Sequence, residues 1–444
     1  MQLDKRKFAL VGTGDRAISY YGRTLTGSQF ASQAEIVGLY DRNPLRAQTA
    51  KSMLAVEAPV YDSFDDLMQQ SLCDSVIVTT MDAAHHHYIV EALKSGKDVI
   101  TEKPLTTNAA FLNQILATQR QTGGKLQVTF NYRYTPYATK VREFLASGKL
   151  GTVTSVEFHW FLDTIHGANY FRRWHRRIEN SGSLWVHKAT HHFDLVNWWL
   201  GQEPRDVFAR GTRKFYGDGA PPAHGIRCST CAYTEGCPFF FDINEDAYLK
   251  QLYQDAESAD GYMRDACVYA EDIDIWDTMS ASIQYEDDTL LTYTLHAYAP
   301  FEGYTIAFNG TQGRLQCDVP DRAVIEYHQN FRERQHYRRD LAPEDLGHTS
   351  IGDRTSDTMR FYPIYGGVEE IVVPRSSGGH GGGDAYQIQM LLDPDLADPW
   401  GYRAGSRAGA MSIMVGVAAR ESIQQRRSVA IGELLDFSLL PNRG

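Results

Sequence analysis

His187, His191 and Asp194 recur at intervals of four and three residues, which on a helix brings them to one face. Such a face can present a proton-transfer group together with its orienting partner. Lys103 is a second candidate, because it directly follows the run Val99-Ile100-Thr101-Glu102, and a lysine partly desolvated beside a cofactor has its pKa drawn down toward neutrality. A base of this kind can take a hydroxyl proton while the carbinol hydrogen leaves as hydride, and an acid at the same place serves the reverse reaction. His187-x-x-x-His191 also has the spacing of a zincin helix, but Lys188 stands where the general-base glutamate would be. His192 points off the shared face and reads as a packed or capping residue.

Residues 162–177 hold His166, Asn169, Tyr170, Phe171, Arg172, Arg173, Trp174, His175 and Arg176. Aromatic faces and hydrogen-bond donors suit a pyranose, which shows apolar C–H faces and a ring of hydroxyls. If the segment is helical, His166, Tyr170 and Trp174 share a face and become substrate contacts; otherwise it is a basic surface turn with buried aromatics. Cys228-x2-Cys231-x5-Cys237 with the distant Cys267 could close a tetrahedral structural zinc site, remain as free or disulfide thiols, or hold an iron–sulfur cluster. Cys73 and Cys317 read as ordinary buried residues. The glycine-rich stretch 376–384 lacks the Gly-Lys-Ser/Thr ending of a phosphate loop, and is either a flexible connector or a lid carrying His380 to the substrate.

The elements that must position these residues begin with Phe8-Ala9-Leu10-Val11, a strand-length apolar run that breaks into Gly12-Thr13-Gly14-Asp15-Arg16-Ala17 before a helical stretch. In this G-x-G-x-x-A pattern the glycines allow a tight turn and close approach to a pyrophosphate, Ala17 allows close helix–strand packing, and the helix N-terminus favours an anion. A second strand at 35–40 ends in Asp41, placed to accept from ribose hydroxyls and to repel a 2′-phosphate; Arg42 beside it could hold that phosphate, so NAD is favoured and NADP stays open. Asp41 could alternatively serve as a helix N-cap before Pro44. Further strands at 75–80, 98–101 and 126–130 alternate with helices at 44–54, 86–95 and 108–122, which is a doubly wound parallel sheet with its ligands beyond the carboxyl ends of the strands.

The chain has 444 residues, 43% of them hydrophobic, enough for a large core and for two domains. A net charge of −11 argues against nucleic-acid binding, which needs clustered Lys and Arg. No apolar run reaches the length of about 18 residues that a membrane span requires, and the first residues leave no room for a leader, so neither a membrane nor export is expected and the cytoplasm is the expected compartment. Six cysteines in so long a chain fit reduced thiols or metal ligands better than a disulfide scaffold.

Glu102-Lys103-Pro104, preceded by Ser95-Gly96-Lys97-Asp98-Val99-Ile100, resembles the signature of the glucose–fructose oxidoreductase and inositol dehydrogenase family, Gfo/Idh/MocA. Asn131-Tyr132-Arg133-Tyr134 with Pro136, followed by Gly148-Lys149-Leu150-Gly151-Thr152-Val153, resembles the passage into that family's second domain. Ser181-Gly182-Ser183-Leu184 with His187, His191 and Asp194 resembles its second catalytic segment, and the run from Phe308 to Leu315 resembles its late strand pair.

The resemblance implies an α/β fold: an N-terminal NAD(P)-binding Rossmann domain over 1–130, then a substrate-binding and oligomerisation α+β domain over 131–444 with an open, mostly antiparallel sheet. The segment of about 211–272 is longer than the simple pattern requires. The strand-like alternation within 278–295 is compatible with that sheet. A homodimer or homotetramer is also implied. Lys103 matches the family's acid–base lysine, His191 its substrate-facing histidine, and His187 stands where aspartate is commoner. The expected cofactor contacts are Gly12, Thr13, Gly14, Asp15, Arg16, Ala17, Asp41, Arg42, Thr79, Thr80, His85, Glu102, Lys103 and Asn131. The expected substrate contacts are Arg133, His166, Tyr170, Trp174, His187, His191 and His380. Three functions follow as expectations: an NAD(P)-dependent oxidoreductase acting on a secondary alcohol of a sugar, glycoside or polyol; a redox glycosidase working through a 3-keto intermediate with tightly bound NAD; or a noncatalytic NAD-binding regulator.

Overall fold

The structure is a computed structural model that describes residues 5–217, 224–322, 356–374 and 383–443. The first apolar runs form β1 (Arg6–Val11), β2 (Ala34–Tyr40), β3 (Ser75–Val78), β4 (Asp98–Glu102) and β5 (Leu126–Thr129). They lie in the order β5-β4-β3-β1-β2, all parallel. Helices cover both faces, so central β3 is buried at every position, as its uninterrupted Val76-Ile77-Val78 run requires. The winding leaves β1 for β2 and returns past it to β3, which opens a crevice beyond the carboxyl ends of β1 and β3.

Local chemistry sets the helix boundaries. The helix Pro44–Leu54 starts where the Asn43 side chain accepts from Arg46 N–H, has proline in its first turn, and stops at Ala55 in the left-handed region. The helices His85–Lys94 and Ala109–Thr122 lie within one residue of their expected bounds. After Gly14 the helix opens with wide π-type turns over Arg16–Gly22 before tightening over Arg23–Thr26. The helix Phe64–Gln70, capped by Ser63, was not anticipated from the apolar pattern.

The second sheet comprises β6 (Val153–Asp163), β7 (Pro204–Thr212), β8 (Thr278–Tyr285), β9 (Leu290–Ala299), β10 (Glu302–Gly310), β11 (Gly313–Arg322), β12 (Ser356–Pro363) and β13 (Glu369–Pro374), completed by β15 (Val429–Ala430). Its order is β13-β12-β11-β10-β6-β9-β8-β7-β15, and every pairing is antiparallel except β6 with β9. Alternate residues of β9, including Leu291, Tyr293, Leu295 and Ala297, are buried, so one face of the sheet is a core face. The helix Ser406–Gln425 lies on β7 and on the helix Ala189–Leu200. His192 joins that second helix to the sheet through Tyr293 Oη, 2.7 Å from its Nδ1.

The C-terminal part of the chain returns to the first layer. Strand β14 (Ala404–Gly405) pairs antiparallel with the free edge of β5. The helix Gly383–Leu392 places Ile388 and Leu391 in the same apolar cluster as Phe8 and Leu10, and Tyr20 hydrogen-bonds Gln387. The two sheets are thus joined through packing as well as through the chain.

Candidate active site

One cavity of about 960 Å³ runs from the first glycine turn to the interface between the two layers. Its volume is at the upper end of the range for small-molecule and cofactor sites. At one end are Gly12, Gly14, Asp15, Arg16, Asp41, Arg42, Thr79 and Thr80. Gly12 has φ +84°, and a Cβ there would meet the Thr79 carbonyl carbon and Thr80 Cα at 2.8 Å, so only glycine lets β1 turn this close to the end of β3. Asp41 is fixed by the chain itself: Oδ2 accepts from Thr13 N–H at 2.8 Å, and Oδ1 accepts from Asn43 N–H at 2.9 Å. Arg46 lies between Asp41 at 3.4 Å and Asp260 at 2.9 Å. Thr13 and Ala17 are buried supports that do not line the cavity.

Glu102 and Lys103 stand where β4 ends. Glu102 is buried and held by Arg16 Nε at 2.6 Å and Tyr21 Oη at 3.0 Å. Burial raises its pKa, but Arg16 and Lys103 outweigh that effect and hold the carboxyl below its usual value. Lys103 Nζ donates to the His187 carbonyl at 3.1 Å. Burial draws the Lys103 pKa down, with Asp82 and Glu102 acting in the opposite direction. His85 ties the strand ends together, its Nδ1 lying 2.8 Å from the Pro104 carbonyl and its Nε2 3.1 Å from that of Thr80.

The short helix Leu184–His187 and the helix Ala189–Leu200 meet at Lys188 instead of running on as one. His187 and His191 nevertheless both line the cavity with Lys103. Asp82, just beyond β3, faces His187 Nδ1 at 2.6 Å. Burial, then the nearby Lys103 and His175, hold the His187 pKa well below 6.5, so the imidazole is neutral. Donating Nδ1–H to Asp82 leaves Nε2 as an acceptor. His191 packs edge-on against the Tyr132 ring at 4.7 Å.

Beside His187, whose ring lies 5.3 Å from that of Tyr170, Asp163 caps the helix Thr164–Arg172 by accepting from Ile165 and His166 N–H. That helix sets His166 Nε2 at 2.7 Å from Tyr170 Oη, while buried Glu302 lies 2.8 Å from His166 Nδ1. Trp174 lies beyond the helix end, on the turn Trp174–Arg176, and still lines the cavity, its ring stacked on His175 at 3.7 Å. Asn131 lines it too, donating to Asp384 at 3.3 Å.

Several expectations need correction. Arg133 is not at the cavity: its Nε and Nη2 bind Asp194 at 2.7 and 2.6 Å, and both residues are buried. The two thus satisfy each other, and Asp194 does not orient His191. His380 lies outside the described residues. Cys228, Cys231, Cys237 and Cys267 do line one small cavity, but none is in a disulfide and, among the described residues, no group of three His, Cys, Asp or Glu could hold a metal ion. The positive partner of Cys228 Sγ is Arg172 Nη1, at 3.0 Å. The zinc expectation is therefore not supported.

Sequence reasoning missed Asp82, Glu302, Tyr253, Asp260 and Tyr262, all of which line the large cavity. Asp82 was within reach, since it follows Thr79 and Thr80 at the carboxyl end of β3 where ligands are expected. Nothing in the local pattern marks the others, which arrive through tertiary packing.

The model of an oxidoreductase family with an NAD-binding Rossmann fold matches residues 6–130, and the model of that family's C-terminal alpha/beta domain matches residues 142–431. The Bacillus subtilis protein YteT is 36% identical over 97% of this chain and 99% of its own. An inositol 2-dehydrogenase of Rubrobacter xylanophilus is 28% identical over 40% of this chain and 48% of its own. The solved structure of the WlbA dehydrogenase from Bordetella pertussis, in complex with NADH and UDP-GlcNAcA, has a TM-score of 0.63 at 16% identity, covering 97% of this chain and 100% of that one, and so shares the fold. With both family models matched in order along the chain, and with the glycine turn and Glu102-Lys103-Pro104 at the ends of β1 and β4, the two parallel strands that flank β3, the protein belongs to the Gfo/Idh/MocA oxidoreductase family.

Proposed function

We propose that this protein is an NAD-dependent dehydrogenase that moves a hydride between a nicotinamide and a secondary alcohol of a sugar, glycoside or polyol. The observation that carries the reading is the grouping of Lys103, His187 and His191 at one part of a cavity that begins at the positive-φ Gly12 turn. The close approach at Gly12 and the glycine turn at the start of the helix fit a pyrophosphate, and a nicotinamide bound along the cavity supplies the hydride acceptor or donor. The residues' part is to orient the alcohol and to carry its proton.

Lys103, with its pKa drawn down, accepts the hydroxyl proton in oxidation and returns it in reduction. Asp82 fixes the tautomer of His187, whose Nε2 accepts a hydrogen bond from the reacting or the neighbouring hydroxyl. His191 faces the same hydroxyl. Tyr170, held by His166 and Glu302, and the Trp174 ring offer polar and apolar contacts to a sugar ring. Asp41 and Asp260, flanking Arg46, oppose a 2′-phosphate, so NAD is the preferred cofactor.

A panel of sugars, glycosides and polyols, assayed with NAD and with NADP for nicotinamide reduction, tests the reading. Reduction with at least one polyhydroxylated compound, at a kcat/KM about tenfold or more higher with NAD than with NADP, is expected. The reading fails if the protein binds the dinucleotide but reduces it with none of them.

A further inference from the structure

The segment 248–262, in the insertion between β7 and β8, packs on the nucleotide-binding layer rather than on the sheet that carries it. Leu252 and Tyr253 are buried in the same apolar cluster as Phe8, Leu10, Ile18 and Leu54, with Tyr248 and Tyr262 against it. Polar contacts fix the segment at both ends: Asn43 Nδ2 donates to the Ala256 carbonyl at 2.8 Å, and Arg46 Nη2 donates to Asp260 at 2.9 Å. Over the glycine turn, Tyr248 Oη donates to Asp15 Oδ1 at 2.8 Å and Tyr253 Oη accepts from Asp15 N–H at 2.9 Å. A Cβ on Gly14 would come within 3.3 Å of that same Tyr253 oxygen.

A tyrosine hydroxyl that accepts from a backbone N–H still has its own proton to donate. The acceptor that belongs beside a glycine turn at a helix N-terminus is a phosphate oxygen. Arg173 lines the same cavity, and its guanidinium lies close enough to Tyr262, Tyr253 and Asp15 to interact electrostatically with all three. The insertion therefore brings a hydroxyl donor to the same cavity that the Arg173 cation lines.

Resting on the dinucleotide reading above, we propose that segment 248–262 is a clasp that retains the dinucleotide between turnovers, with Tyr253 Oη and the Arg173 guanidinium as ligands of its pyrophosphate. Tyr253 passes the hydrogen-bonding capacity of the Asp15 N–H on to a phosphate oxygen. Arg173 adds a forked, charge-assisted contact that a lysine cannot reproduce. The clasp slows release of the cofactor and places no group on the reacting alcohol.

The test uses the full chain as wild type, Tyr253→Phe and Arg173→Lys. NADH release is followed by fluorescence on displacement, and calorimetry measures the affinities for NADH, ADP-ribose and AMP. Both variants are expected to release NADH about tenfold or more faster. Both should lose a similar factor in affinity for ADP-ribose, with AMP affinity kept within about twofold and melting temperature within ~4 °C. Wild-type release rates in both variants overturn the clasp alone, as does an equal loss for AMP and ADP-ribose, which marks general damage. A wild-type protein that binds neither NADH nor NADPH overturns the dinucleotide reading itself.

Discussion

With His187 neutral and its Nδ1 hydrogen on Asp82, the carboxylate that the family more often carries at position 187 is supplied here from the end of β3, one imidazole further from the alcohol. In the proposed reaction Lys103 is the proton acceptor, and Lys103→Met is expected to lower kcat by about 10²–10⁴-fold while NADH binding, read by fluorescence, stays near wild type. The pH dependence follows from the same contacts. Burial lowers the Lys103 pKa, so its amine form, and with it alcohol oxidation, grows as pH rises through a value below 10.5. The Asp82 charge raises that pKa, so Asp82→Asn should move the acid limb of kcat/KM for oxidation to lower pH while reducing kcat, because an amide holds the His187 tautomer less well. A limb that stays in place or moves to higher pH would remove Asp82 from the proton network. Sequence spacing pointed to His187 and His191 but paired them with Asp194, three residues on; that carboxylate instead meets the buried Arg133, a contact 61 residues away that spacing cannot reveal.

At the scale of elements, the site is built from strand ends and caps. The turn after β1 depends on Gly12, and Gly12→Ala must adopt φ +84° and push against the backbone of Thr79 and Thr80. Strain of about 1–3 kcal/mol at such a position, added to a displaced β3 end, should weaken NADH binding by about tenfold or more in calorimetry. The Arg133–Asp194 pair binds the turn after β5 to the helix Ala189–Leu200, which carries His191. Removing one partner leaves the other charge buried, so Asp194→Ala should cost about 3–5 kcal/mol in denaturant unfolding, whereas a catalytic residue of modest structural weight would cost little. The parallel strands and most helix limits of the first layer were legible because apolar runs and proline mark them directly, whereas the Ser63-capped helix Phe64–Gln70 and the Asn43 cap were not. The break at Lys188 and the wide turns over Arg16–Gly22 were not, since periodicity reads straight through both.

At the scale of the molecule, the dinucleotide layer is completed by distant pieces: β14 on the edge of β5, the helix Gly383–Leu392 beside β1, and the insertion over the glycine turn. A boundary near residue 130 marks where the chain leaves the parallel sheet, yet the packing does not respect it, because the residues from 383 to 405 return to cover that layer. That return was beyond sequence reading, since a two-residue strand has no pattern of its own and the pairing spans some three hundred residues of chain. The family and the α/β fold class were readable because short motifs mark them in order along the chain. The central claim is that Lys103 carries the alcohol's proton beside a nicotinamide bound along this cavity. It is tested most directly by single-turnover mixing of the NAD-loaded wild type and the NAD-loaded Lys103→Met variant with a sugar that the panel identifies as a substrate. The account predicts rapid nicotinamide reduction in the wild type and a rate about 10²–10⁴-fold lower in the variant at equal cofactor occupancy; equal rates in the two proteins would contradict it.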